Sequence, residues 1–337
     1  MKTKLAIVIL NWNGKDFLLR FLPALLRYCP SYADIVVADN ASVDGSVEMM
    51  QTHFPEIRVV VNASNGGFSK GYNDALSQID AEYYCLLNSD IEVTDHWVEP
   101  IIDRMEEDAQ IAAMQPKLRS YEQPDHFEYA GAAGGFIDKY GYPFCRGRLF
   151  GVVEQDHGQY DTEMEIFWAS GAALFVRSSV YHQVGGLDED FFAHMEEIDF
   201  CWRIKNLGYK IMVNPKSVVY HVGGGTLPKK NSLKTYLNFR NNLFLLLKNL
   251  PDDRIFITFF VRFFLDNVAA AMFLFQGHGG DFISVYKAFF AFMKKRKAII
   301  AKRADENKPA YDDTCKKSVV FLHYLKQKKY FDGRDFK

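Results

Sequence analysis

Over its first 115 residues the chain alternates short apolar runs with segments of helical spacing. Leu5–Leu10 is continuously apolar and stops at Asn11-Trp12-Asn13-Gly14. It reads as a buried strand, because six residues are too few for the apolar stretch of a secretion signal. Phe17, Leu18, Phe21, Leu22, Leu25 and Leu26 then recur on one helical face. Further strands are predicted at Ile35–Ala38, Ile57–Val61, Tyr83–Leu87 and Ile111–Met114, with helices at Gly45–His53, Phe68–Ile79 and His96–Asp108 between them. This alternation predicts an α/β fold of βαβ units around a mainly parallel sheet, which takes ligands at the carboxyl ends of its strands.

The remainder is less regular. Lys117–Tyr160 mixes glycine and aromatic residues without a period and reads as loops and short strands over a pocket. Ile166–Val176 reads as strand around a Ser170-Gly171 turn, Glu196–Leu207 as helix, and Lys210–Val213 and Val218–Tyr220 as two short strands. Four helices are expected beyond Ser232: Leu233–Leu250, Asp252–Phe275, Phe282–Lys302 and Ser318–Lys329. The glycine run Gly223–Gly225 is the expected boundary. It divides an α/β unit of residues 1–225, with halves 1–115 and 116–225, from a helical region of residues 226–337.

Composition narrows the function classes. Hydrophobic residues make up 48% and charged residues 24% of the 337, which excludes a disordered chain. Forty basic against 42 acidic residues argues against a nucleic-acid partner. The five cysteines form no CxxC pair, which fits a reducing, cytoplasmic setting without structural zinc. Charge is unevenly placed, however: Ser284–Lys337 holds 15 Lys/Arg and 6 Asp/Glu. Such a basic arm suits an anionic surface. Before it lies the greasy stretch 255–275, interrupted by Arg262 and Asp266 at the i, i+4 spacing of an ion pair. Each charge would cost about 2.5–3.5 kcal/mol at a bilayer centre, so crossing is disfavoured. A core helix, a homodimer interface or a helix lying on an anionic membrane surface all fit, the last placing the protein peripherally on the cytoplasmic face of the inner membrane.

Several strand ends carry candidate chemistry. The turn after the first strand has one glycine where a dinucleotide fingerprint needs three, and no Walker A sequence occurs. Asp39, at the end of the second strand, is the acid expected to be open to a base or ribose, whereas Asp44 and Ser46 read as caps of the next helix. Asn65-Gly66-Gly67-Phe68 would let backbone N–H groups approach a ligand. Asn88-Ser89-Asp90 sets an amide and a carboxylate at the fourth strand's end, oxygen ligands suited to Mg²⁺ or Mn²⁺. His221, before three glycines, is a further metal or phosphate ligand. Glu196 and Glu197 adjoin at a helix start, where repulsion can raise one of them towards a general base. Asp199 and Arg203 are spaced to pair structurally.

Taken in order, VILNWNG, VVADNASVDGS, NGGFSKGYN, LLNSD, WASGAALFVR, GGLDEDFFAHMEEIDFCWRIKNLGY and YHVGGGT resemble family-2 glycosyltransferases. The likeness is greatest to a bacterial rhamnosyltransferase-like branch and runs from residue 4 to about 250. It implies a GT-A fold, with residues 1–115 as the nucleotide-sugar half and 116–225 as the acceptor half. It also implies inverting transfer of a sugar from a nucleotide-diphosphate-sugar donor to a glycan or lipid-linked acceptor in surface polysaccharide synthesis. Asn11, Asn13, Asp39 and Asn65 would line the nucleotide site. Asn88-Ser89-Asp90 would match the family's Asp-X-Asp motif with Asn in the first place, leaving Asp90 as the main anchor of a divalent metal, with His221. Glu197 falls on the family's base position, where aspartate is usual; Glu196 is the alternative. Arg240-Asn241 also matches the branch. A sugar-nucleotide nucleotidyltransferase and a non-catalytic sugar- or nucleotide-binding subunit are the competing readings.

Overall fold

The computed structural model describes residues 3–223, 232–303 and 314–333. Gly224 and Gly225 of the expected boundary, and parts of the basic arm, lie outside these. Strands are β1 Thr3–Asn11, β2 Ala33–Asp39, β3 Arg58–Val61, β4 Ala81–Asn88, β5 Ile91–Val93, β6 Ile111–Ser120, β7 Gly135–Ile137, β8 Pro143–Cys145, β9 Arg148–Leu149, β10 Val152–Val153, β11 Met164–Glu165, β12 Ala173–Arg177 and β13 Lys210–His221. Helices are α1 Lys15–Tyr28, α2 Ser46–His53, α3 Gly67–Leu76, α4 Glu99–Glu107, α5 Ser178–Gln183, α6 Glu196–Asn206, α7 Ser232–Asn249, α8 Asp252–Phe275 and α9 Gly279–Ala301.

The main sheet runs β11-β13-β6-β12-β4-β1-β2-β3, with β5 also paired to β13. Its β4-β1-β2-β3 half is parallel, as the βαβ alternation requires. Beyond β4 it is mixed: β12 runs antiparallel to both neighbours, and β6 and β13 are parallel to each other. Successive residues of β1 serve two cores. Ala6 and Val8 face a cluster with Tyr72 of α3 and Trp202 of α6, and Leu5, Ile7 and Ile9 face one with Leu18 of α1 and Ile101 of α4. Leu243–Leu247 of α7 and Phe292 and Ile299 of α9 join the first cluster, so the C-terminal helices share the sheet's core.

Three segments differ from the sequence expectation. Lys210–His221 is one strand rather than two, its register shifted between Asn214 and Val218 by the irregularity around Pro215. The aperiodic stretch 117–160 contributes a second antiparallel sheet, β10-β9-β8-β7. Ser318–Lys329 does not form a regular helix. Only a wide turn, Phe321–Leu325, is present, because Val319 and Leu322 are drawn against Phe144 and Leu149 of the small sheet and Val319 N–H donates to the buried Asp138 carboxylate at 2.9 Å.

Candidate active site

The parallel half of the sheet brings three candidate segments to one edge. Asn11, closing β1, stands opposite Asp39, closing β2, and Leu10 stands opposite Asn88, closing β4. β1 is also where the strand order reverses, with β2 and β3 on one side and β4 on the other. Ligand crevices form outside such a switch point, because the connections leave in opposite directions.

Hydrogen bonds knit the first two strand ends. Asn11 Nδ2 donates to Asp39 Oδ2 (2.9 Å) and to Ser42 Oγ (3.2 Å), and Asp39 Oδ1 accepts from the Ser42 N–H (2.8 Å). Asp39 is consequently only 1% exposed, not the open acid its strand-end position suggests, because the 40–43 turn folds back over it. Asn11 is likewise buried, and among the described residues its Oδ1 has no partner. Exposed Asn13, in the left-handed region at φ 52°, accepts from the Val43 N–H at 2.8 Å. Asp44 holds two helix starts, accepting from Lys15 N–H of α1 (2.9 Å) and Ser46 N–H of α2 (3.0 Å). Exposed Asn65 accepts through Oδ1 from the Gly67 N–H and from Asn40 Nδ2, both at 2.9 Å, and so shapes the turn into α3.

Asp90 and His221 meet because β5 pairs with the end of β13, setting Ile91 opposite His221. Asp90 Oδ1 lies 3.1 Å from His221 Nε2, and Glu128 Oε1 faces His221 Nδ1 at 3.4 Å. Burial would lower the imidazole's pKa, but the Glu128 and Asp90 carboxylates outweigh it and hold His221 at about 10. Burial would raise Asp90, and the charge of His221 keeps it below the usual carboxylate range instead. Glu128, in the aperiodic middle segment, carries no motif that would have revealed it.

The pair suits a divalent ion, which would take the place of the His221 proton. Two ligands on one octahedral ion with ~2.1 Å bonds sit about 3 Å apart, close to the Asp90–His221 separation. A carboxylate on the far imidazole nitrogen is the usual support of a metal-bound histidine, and Glu128 occupies that place. Among the described residues no group of three or more His, Cys, Asp or Glu side chains forms a cage. Two protein ligands leave positions for phosphate oxygens and water, as Mg²⁺ and Mn²⁺ require. Asn88, partly exposed at the end of β4, donates its N–H to the Ala172 carbonyl (3.0 Å) and so ties this edge to the Ser170-Gly171 turn.

Across that turn lie the paired glutamates. A Cβ on Gly171 would come within 3.1 Å of the Phe68 ring and 3.7 Å of the Glu197 Cβ, so the glycine lets the NGGF segment and α6 converge. Glu196 is buried, Glu197 is partly exposed, and each has an Oε2 without a hydrogen-bond partner among the described residues. Burial raises the Glu197 carboxyl to about 7. Burial and then the charge of Glu197 raise Glu196 well above the carboxylate range. Asp199 and Arg203 pair at 2.8 Å as their spacing predicts, and Lys248 and Asn249 of α7 complete the carboxylate's partners at 2.9 and 2.8 Å.

The segment entering α6 is strained. Phe192, His194 and Met195 have φ of 66°, 70° and 72°, each a conformation costing roughly 1–3 kcal/mol in a non-glycine residue. Every carbonyl from 191 to 194 is captured. Phe192 O accepts from the Phe68 N–H at 2.7 Å. Asn241 Nδ2 reaches Phe191 O and Ala193 O at 2.8 Å and His194 O at 2.7 Å. Arg240 adds a bond to Phe191 O at 2.9 Å and steadies Asn241 Oδ1 at 2.9 Å.

Known proteins agree with this architecture. The family description "Glycosyl transferase family 2" matches residues 6–151. The chain is 25% identical over 239 residues to the N-acetylglucosaminyl-diphospho-decaprenol L-rhamnosyltransferase of Mycobacterium tuberculosis, covering 66% of this chain and 76% of that protein. It is 22% identical over 266 residues to the dTDP-rhamnosyl transferase RfbF of Shigella flexneri, covering 74% and 82%. In fold it is similar to the crystal structure of GalNAc-T7 with UDP, GalNAc and Mn²⁺, with a TM-score of 0.59 and 15% identity over 75% of this chain and 49% of that one. With seven motifs in order, a switch-point edge and these relatives, the chain is a glycosyltransferase of GT-A fold whose residues 6–151 match family 2.

Proposed function

We propose that the protein transfers a sugar, with inversion, from a nucleoside-diphosphate sugar to a hydroxyl of a glycan or lipid-linked glycan. The setting is surface polysaccharide synthesis, at the cytoplasmic face of a membrane. The observation that carries this reading is the convergence at Gly171. There Asn88 of the strand edge, Phe68 of the NGGF turn and a carboxyl raised to about 7 at Glu197 come together. A base poised near neutral pH suits an acceptor hydroxyl. The names of the mycobacterial and Shigella relatives make dTDP-rhamnose and a polyprenyl-diphosphate-linked acceptor the first pair to test.

In this reading the acceptor oxygen attacks the anomeric carbon while the bond from that carbon to the diphosphate oxygen breaks. Glu197 takes the hydroxyl proton, and the electron pair leaves with the nucleoside diphosphate. Asp90 and His221 would hold a divalent ion, which neutralises charge building on the diphosphate. Asn11 and Asp39 fix the two strand ends against which Asn13 and Asn65 present the nucleotide. Gly171 lets the NGGF turn close against α6, which sets Phe68 beside the Glu197 end of the site. Residues 1–225 are the proposed catalytic unit and the later helices its extension.

Calorimetric titration with UDP, dTDP and GDP, each with Mn²⁺, Mg²⁺ or chelator, tests the donor site. Metal-dependent binding of one nucleotide, lost in Asp90→Ala, is expected. A folded protein that binds none of them under any condition overturns the reading.

A further inference from the structure

Helix α8 is inside out. Its buried positions are Thr258, Arg262, Asp266 and Ala270, one stripe at four-residue spacing that carries both charges of the helix middle. Arg262 pairs with Asp266 at 3.0 Å, stacks on the Tyr142 ring at 4.4 Å and donates to the Tyr140 carbonyl at 3.2 Å. The polar stripe is thereby pinned to the protein body. Phe256, Phe260, Phe263, Phe264, Val268 and Phe275 point outward, Phe256 at 80% and Phe275 at 89% exposure. A helix in water turns the opposite way. Phe256, Phe260 and Phe264 form a ladder with ring centroids 6.4 and 5.1 Å apart, a continuous apolar ridge rather than scattered residues.

Helix α9 continues the ridge and adds charge. Tyr286 Oη donates to Asn267 Oδ1 at 2.9 Å and fixes the antiparallel register of the hairpin. One turn further on, Phe289 and Phe290 of α9 therefore stand level with Phe263 and Phe264 of α8. Phe290 is 70% exposed and has exposed Lys287, Lys294 and Lys297 at i−3, i+4 and i+7. Aromatic rings flanked by long basic side chains match an anionic lipid surface, the rings entering the acyl boundary and the ammonium groups reaching the headgroups.

We infer that the outward face of α8 and the Phe289–Lys297 stretch of α9 dock the protein on an anionic lipid bilayer, lying in its surface. Charge decides against a second copy as the occupant, because a two-fold contact through this face would set two basic ridges against each other. The pinned Arg262–Asp266 stripe decides against a spanning helix, although α8 is long and apolar enough by composition to cross. The inference supplies the membrane partner of the proposed function, and its test needs no donor or acceptor.

The test is flotation of the full chain with phosphatidylcholine vesicles, with and without phosphatidylglycerol. The wild type should float with the anionic vesicles, and high salt should release it. Phe256→Ser/Phe260→Ser/Phe264→Ser and Lys287→Glu/Lys294→Glu/Lys297→Glu should each lose most of the floating fraction. Every substituted side chain is exposed, and unchanged nucleotide binding would verify the fold. A wild type that stays unbound, or a triple-serine variant that floats equally well, overturns the inference. So does a dimer in sedimentation that the serine variant dissociates, which would make a second copy the occupant. Loss of nucleotide binding with flotation intact would instead count against the donor site alone.

Discussion

Asn241 donates its side-chain amide to the His194 carbonyl at 2.7 Å, from a helix that begins about forty residues after His194. The same nitrogen reaches the carbonyls of Phe191 and Ala193, so one buried side chain holds the strained entry to α6. Asn241→Ala would release the Ala193 and His194 carbonyls together, while Phe191 O keeps Arg240, and would let His194 and Met195 relax towards ordinary φ. Glu197 would then drift, and a misplacement of about 1 Å is worth on the order of 100-fold in rate. Turnover is expected to fall about 10- to 100-fold while nucleotide affinity stays within about 2-fold. Asn241→Asp should be worse, since a carboxylate oxygen would face carbonyl oxygens. Steady-state kinetics beside calorimetry separates the two effects; equal losses of binding and turnover would make Asn241 merely structural.

Glu197→Gln keeps the shape of the side chain and removes the proton acceptor. General-base catalysis contributes about 10²- to 10⁴-fold, and the variant should lose that much turnover with nucleotide binding retained. Glu196→Gln, on the buried neighbour, should lose far less. The reverse pattern would move the base one residue back.

The raised carboxyl of Glu197 has opposite consequences for rate and stability. Transfer needs the carboxylate, so the rate should climb as pH passes about 7. The folded protein binds this proton more tightly than the unfolded chain, whose carboxyl titrates at the ordinary value. The group's stabilising contribution is therefore full below about pH 4.5 and lost as pH rises through about 7. Glu197→Gln should gain on the wild type as pH rises from 5 to 8, by on the order of 1–3 kcal/mol. Denaturant unfolding at the two pH values measures this, and parallel curves would place the titration elsewhere.

Legibility in the sequence followed the range of the forces involved. β1 and α1 were readable because a six-residue apolar run and a one-sided apolar helix are local patterns. That Asn11, Asp39 and Asn88 lie side by side is legible because the ends of neighbouring parallel strands share an edge. The burial of Asp39 was not, since it depends on how the 40–43 turn closes. Glu128 was invisible because no period or motif marks the segment that carries it to His221. Asn241 stood out only as a motif; its role needed the backbone path of residues 191–194. The spacing of Arg262 and Asp266 predicted their pairing, but not that the pair faces inward, because periodicity ranks apolar faces without knowing what lies outside them.

That inward pair makes the last prediction. Arg262 and Asp266 are 2% and 9% exposed, and removing one partner of a buried pair leaves the other uncompensated. Arg262→Ala is expected to destabilise by about 3–5 kcal/mol. It also strips partners from the Tyr140 carbonyl and from Asn242 Oδ1. Replacing both charges, Arg262→Met with Asp266→Leu, removes the desolvation of two ions and should be much less harmful than the single change. Asn242 would keep its bond to the Gly141 carbonyl at 2.7 Å, which limits the damage to its Oδ1. Urea unfolding of the wild type, both single variants and the double variant closes the cycle. A strongly favourable coupling between the sites is expected; additive losses would mean that the ion pair does not hold α8 to the protein body.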